Sequence, residues 1–164
     1  MIQHSIGLRY GLIAGLATIA YFLLFYQIDP KLMLGPLVYR SSLLIYLVLM
    51  FLAVFKARKE AGGGIELKAA LRVAFVTYLI ANLLFYGFYY LLFNYFDPEL
   101  VTLQEEMMKA FLADLDQQDA QELGERLNQD ELQLTFSKTF FSFIKDAIPG
   151  FILSFIIAGI ARNK

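Results

Sequence analysis

Three polar side chains interrupt long apolar runs and are best placed to do chemistry: Asn82, Lys145 and Asp146. An ionisable group inside a membrane span is a functional candidate by default, because lipid supplies neither water nor counter-charge. Lys145 and Asp146 are neighbours in sequence, and successive helical residues point about 100° apart. They cannot readily neutralise each other. Each needs its own partner or a place at the membrane boundary, and boundary snorkelling is the expectation adopted here. Asn82 is expected to hydrogen-bond across helices, a contribution of about 0.6 kcal/mol. Composition narrows the remaining chemistry. The chain has no cysteine and one histidine, His4. That excludes thiolate nucleophiles, disulfides, thiolate-held metals and multi-histidine sites within one chain. Asp116 and Asp119 lack the glycine and terminal glutamate of a calcium loop. No catalytic, cofactor-binding or metal-ligating residue is assigned.

The elements that must position these groups follow from hydropathy. Of 164 residues, 59% are hydrophobic, with a mean hydropathy of +0.57. An ordinary soluble domain is about 45–50% apolar, and a chain this short cannot bury the excess in one water-soluble core. Four runs, 6–28, 37–55, 73–96 and 139–161, reach the ~20 residues that span a hydrocarbon core of about 30 Å. Lipid offers the backbone no hydrogen-bond partners, so all four are expected to be helices. The predicted fold is an all-α membrane protein: one domain of four transmembrane helices, with a helical loop outside the cytoplasm between the third and fourth. The first run exceeds the 7–15-residue core of a signal peptide and is read as a retained span.

Small residues mark packing faces. Gly7, Gly11 and Gly15 recur four apart, with Thr18 near the same face; Gly150, Ser154 and Ala158 do the same in the fourth run. Such faces let helix backbones approach closely. The first could join subunits, or pack within the chain against the second or fourth helix. Arg9, among the glycines, lies near the membrane edge. Asp29 and Pro30 are expected to end one helix and cap the next, and Asp97 and Pro98 to do the same after the third run. These two pairs belong to a repeat. Shifted by 68 residues, seven of the thirteen positions from Tyr21 to Met33 match those from Tyr89 to Val101. Duplicated hairpins would produce that pattern, as would a shared need for interfacial tyrosine and a proline stop. The segment 65–72 could lie at the headgroups or form the first turns of the third span. Pro149 and Gly150 are expected to kink the fourth.

Residues 97–138 hold eleven of the fifteen acids, against Lys109, Arg126 and Lys138. Leu100, Leu103, Met107, Phe111 and Leu115 recur at helical spacing, supported by the Glu105–Lys109 pair. A second stripe is Ala120, Leu123 and Leu127, supported by Glu122–Arg126, and the turn between the two is expected near 116–119. Lysine and arginine in short loops favour the cytoplasm. Five fall within the seventeen residues from Lys56 to Arg72. Both termini are therefore expected in the cytoplasm, with the acidic segment outside.

The run Gly64-Ile65-Glu66-Leu67-Lys68-Ala69-Ala70-Leu71-Arg72, followed by Phe96-Asp97-Pro98-Glu99, resembles the bacterial family known as domain of unknown function 4199. Glu66, Ala69 and Ala74 depart from the serine, glutamate and glycine of that pattern. The resemblance covers nearly the whole chain. It implies a small inner-membrane protein with four spans, and no established activity. The leading expectation is a non-enzymatic scaffold or accessory subunit. It would act through helix packing and an acidic docking segment, as a homo-oligomer or within a larger membrane complex. The alternative is a small oligomeric transporter or channel subunit, with Asn82, Lys145 and Asp146 along its path. The bilayer is the expected surrounding, and no nucleic acid or cofactor is expected.

Overall fold

A computed structural model describes residues 2–114 and 134–161. The elements are α1 (Ile2–Ile28), α2 (Pro30–Leu34), α3 (Pro36–Glu60), α4 (Leu67–Leu91), α5 (Glu99–Ala113) and α6 (Phe136–Ala161). A π turn, Leu92–Phe96, prolongs α4 and closes where the Asp97 N–H donates to the Leu92 carbonyl at 2.8 Å. Among the described residues there is no strand. Four helical stretches are long and apolar enough to cross a membrane: Ser5–Ile28, Pro36–Glu60, Leu67–Phe96 and Phe136–Ala161.

The boundaries refine the expectations. Residues 67–72 form the first turns of α4 rather than a separate surface helix, and Ala70 is fully buried there. The fourth span begins at Phe136 rather than Thr139. Asp29 caps α2, its Oδ1 accepting the Lys31 N–H at 2.9 Å, with Pro30 in the first turn. Asp97 does not cap α5. Its Oδ2 accepts the Tyr26 hydroxyl at 2.7 Å, and Pro98, expected inside the helix, stands just before it with no side-chain cap. A carboxylate oxygen committed to a phenol on α1 is drawn away from the amides of α5. The Glu105–Lys109 ion pair forms at 2.7 Å. Leu100 is buried, Leu103 and Met107 are half-buried, and Phe111 is exposed. Leu115, the second stripe and its turn lie outside the described residues.

The glycine stripe explains the central packing. A Cβ on Gly7 would meet Val76, one on Gly11 would meet Ile80, and one on Gly15 would meet Leu84. The small face of α1 is therefore filled by α4, the third span, and not by the second, the fourth or another subunit. These pairings set α1 parallel to α4 at an offset of 69, since 76 − 7, 80 − 11 and 84 − 15 all give 69. That is one residue from the offset of the sequence repeat. Thr77 supplements the seam, its Oγ1 donating to Val73 O at 2.9 Å and reaching Gly7 O at 3.3 Å.

Helix α4 touches every other span, whereas α1 and α6 do not touch. A duplicated pair of hairpins would pack α1 on α6 as α3 packs on α4, so that symmetry is broken. The core divides by depth. One cluster, toward the ends of α3 and α6, joins Tyr46 and Tyr78 to small and aliphatic residues such as Met50, Ala53, Val54, Ala57, Val73 and Ala74. The other, toward α2 and α5, is aromatic, centred on Phe22, Phe85 and Phe93. Exposed apolar side chains cover the outside of the bundle, as expected where lipid is the solvent.

Candidate functional site

The polar groups of the spans converge where α3, α4 and α6 meet. Pro149 lies within α6, which runs on as one helix past it. Proline has no N–H, so the carbonyl four residues back, that of Lys145, has no helical donor. The next carbonyl, Asp146 O, accepts the Tyr78 hydroxyl at 3.0 Å. The Asp146 carboxylate turns to the same side: its Oδ2 accepts the Tyr86 hydroxyl at 2.7 Å and that of Tyr39 at 3.3 Å. Three tyrosines from two helices thus hold one aspartate of a third.

The small face of α6 makes this approach possible. Gly150, Ser154 and Ala158 are all buried. A Cβ on Gly150 would run into the ring of Tyr78, which also packs against Tyr46 at 5.6 Å between centroids. Ser154 satisfies its hydroxyl on Gly150 O at 2.7 Å.

The structure separates the adjacent charged pair. Lys145 is exposed on the outside of α6, whereas Asp146 is half-buried at the junction. Asp146 thus finds partners within the chain, phenols from α3 and α4, that the sequence did not point to. Its depth is set by Tyr39, the fourth residue of α3, so the site lies near the face that carries α2 and α5. Tyr39 itself is 46% exposed.

Asn82 does not make the interhelical bond expected of it. It is 4% exposed, and its Nδ2 has no partner. At 100° per residue, Tyr78, Asn82 and Tyr86 step 40° apart around α4. Asn82 therefore falls midway, in height and in direction, between two tyrosines that grip Asp146. Sequence reasoning missed Tyr39 and Tyr86, because tyrosines toward helix ends read as an interfacial belt, and it missed Tyr78, which stands mid-helix among apolar residues. The spacing of Tyr78, Asn82 and Tyr86, four apart, was the available signal.

Chemically, the junction offers one carboxylate and three phenols. Among the described residues no group of three or more histidine, cysteine, aspartate or glutamate side chains is arranged to hold a metal. The Tyr86 hydroxyl is the shortest contact to the carboxylate. Tyr86→Phe should destabilise the bundle by about 1–2 kcal/mol, since a hydrogen bond to a charged group is lost. Tyr39→Phe should cost less, its bond being longer and its side chain partly exposed. Unfolding midpoints in detergent would rank the two.

No curated protein and no solved structure matches the chain. A family model, described as a protein of unknown function, DUF4199, matches residues 9–163. With nearly its whole length matched, this all-helical chain of four apolar spans belongs to the DUF4199 family.

Proposed function

We propose that the protein is a non-enzymatic membrane scaffold or accessory subunit. In this reading it sits in a bacterial inner membrane, with both termini in the cytoplasm and α5 outside. The observation that carries it is the packing of the half of the bundle remote from α2 and α5. There Met50, Ala53, Val54, Ala57, Val73 and Ala74 are each no more than 1% exposed. The polar junction at Asp146 thus meets a plug of methyl groups, which argues against a hydrated path through a single chain. What remains for interaction is the outside of the molecule. Helix α5 presents Glu106 and Phe111 to the surroundings, a mixture of charge and apolar surface suited to docking. The basic stretch from Lys56 to Arg72 supports the orientation.

Reconstitution into liposomes tests the reading. Proton and potassium flux should not exceed that of empty vesicles. A photo-crosslinker at position 111 should capture a defined partner in cells. Flux that depends on the protein, and falls in Asp146→Asn, would instead establish the oligomeric transporter.

A further inference from the structure

We propose that the corner where α3 turns toward α4 binds the phosphate head of an anionic phospholipid, with Arg58 and Lys59 as its cations. The inference needs only a chain that spans a membrane, and it holds for scaffold and transporter alike. Helix α3 has 25 residues. At 1.5 Å each it is about 38 Å long, against a hydrocarbon core of about 30 Å. The surplus carries its last turn, where Arg58 and Lys59 stand, to the level of the headgroups. A third cation, Lys56, lies one turn earlier, but it is paired with Glu60 at 3.3 Å. Among the described residues neither Arg58 nor Lys59 forms an ion pair.

Arg58 is held ready for an anion. After α3 the chain turns through Gly62 and Gly63, both in the left-handed region at φ 87° and 101°, which glycine adopts without strain. The turn brings Gly63 back over the end of α3. Its N–H donates to Arg58 O at 3.0 Å, and its carbonyl accepts the Arg58 Nε–H at 2.7 Å. The second bond fixes the guanidinium. It leaves the two terminal nitrogens without a partner among the described residues. A planar pair of N–H donors matches two oxygens of a phosphate. Phe55, Arg58, Lys59 and Gly63 line a cleft of about 200 Å³, room for a phosphodiester but not for a whole lipid. The acyl chain has its own track. Val48, Leu52, Phe55 and Lys59 fall within about 60° of one another around α3, and the three apolar ones are exposed. A lipid with its phosphate at Arg58 and Lys59 thus lays a chain along the apolar stripe beneath them. A zwitterionic head would bring its own ammonium against these two cations, so the corner selects a head with net negative charge.

The chain has no tryptophan, so Phe55→Trp supplies a single fluorescent reporter at the cleft. The full chain with this substitution would be reconstituted into phosphatidylcholine vesicles and quenched by lipids brominated along the acyl chain. Brominated phosphatidylglycerol should reach half-maximal quenching at about a tenfold lower mole fraction than brominated phosphatidylcholine. Arg58→Lys keeps the charge but loses Nε and the planar fork, and should remove most of that preference. Lys59→Gln should lower it about fivefold. Lys59 is exposed and makes no bond within the chain among the described residues, so this variant keeps the test valid if Arg58→Lys disturbs the turn. Lys68→Gln removes an exposed cation outside the cleft and should leave the preference unchanged. A loss in Lys68→Gln equal to that in Lys59→Gln would overturn the proposal, because diffuse charge would then account for the binding. Equal quenching by the two lipids in the Phe55→Trp chain would also overturn it. So would a preference abolished by inorganic phosphate at constant ionic strength, which would assign the corner to a soluble phosphate.

Discussion

Gly150→Val should cost about 3 kcal/mol and loosen α6 from the rest of the bundle. The added side chain would start inside the ring of Tyr78. That ring cannot move aside freely. Its hydroxyl is bonded to Asp146 O at 3.0 Å, and its ring packs against Tyr46. Overfilling a packed site usually costs 1–3 kcal/mol, and here the loss of the Tyr78 bond adds to it. In a Tyr78→Ala background the obstacle is gone, so the same substitution should be nearly neutral. Denaturation in mixed micelles, run on all four combinations, measures the coupling. Equal costs in both backgrounds would refute the account of Gly150.

Gly11→Leu should be of similar size and act on the other side of α4. A Cβ there would lie 2.7 Å from Ile80 Cβ and 3.0 Å from the Thr77 carbonyl oxygen. The second neighbour is backbone, which cannot rotate away. Helices α1 and α4 would have to part along the seam that Gly7 and Gly15 also line. Without a strong hydrophobic drive between helices in lipid, close backbone packing supplies much of the association. The loss should therefore be about 3 kcal/mol, seen as a lowered unfolding midpoint. Leu12, on the adjacent lipid-facing side and 48% exposed, is the control. Leu12→Ala should change the midpoint little, because its side chain exchanges lipid for lipid.

The architecture was legible because the bilayer imposes a length and a composition. The four apolar runs could do little else, and the structure mainly lengthened them at their ends. The glycine stripe was legible as a packing face, but its partner was not. Nothing in the spacing of Gly7, Gly11 and Gly15 says whether Ile80 or another helix fills it. The site was half legible. Asp146 and Asn82 stood out as polar groups in apolar surroundings. Their setting depended on three helices meeting at one height, which no local pattern encodes. Lys145 drew attention only as the neighbour of Asp146, and one helical step sent it outward. Asp97 shows the same limit: a cap is a local rule, and the Tyr26 hydroxyl on a distant helix overrode it.

The parallel seam between α1 and α4 also constrains the birth of the protein. Chain synthesis runs from the N-terminus, so α1 enters the bilayer long before residues 73–84 exist. During that interval the groove over Gly7, Gly11 and Gly15 lacks the α4 side chains that fill it in the folded bundle. The first hairpin must wait as an unfinished half. Its final neighbour arrives on the second hairpin, and the two lock laterally only once both are already inserted.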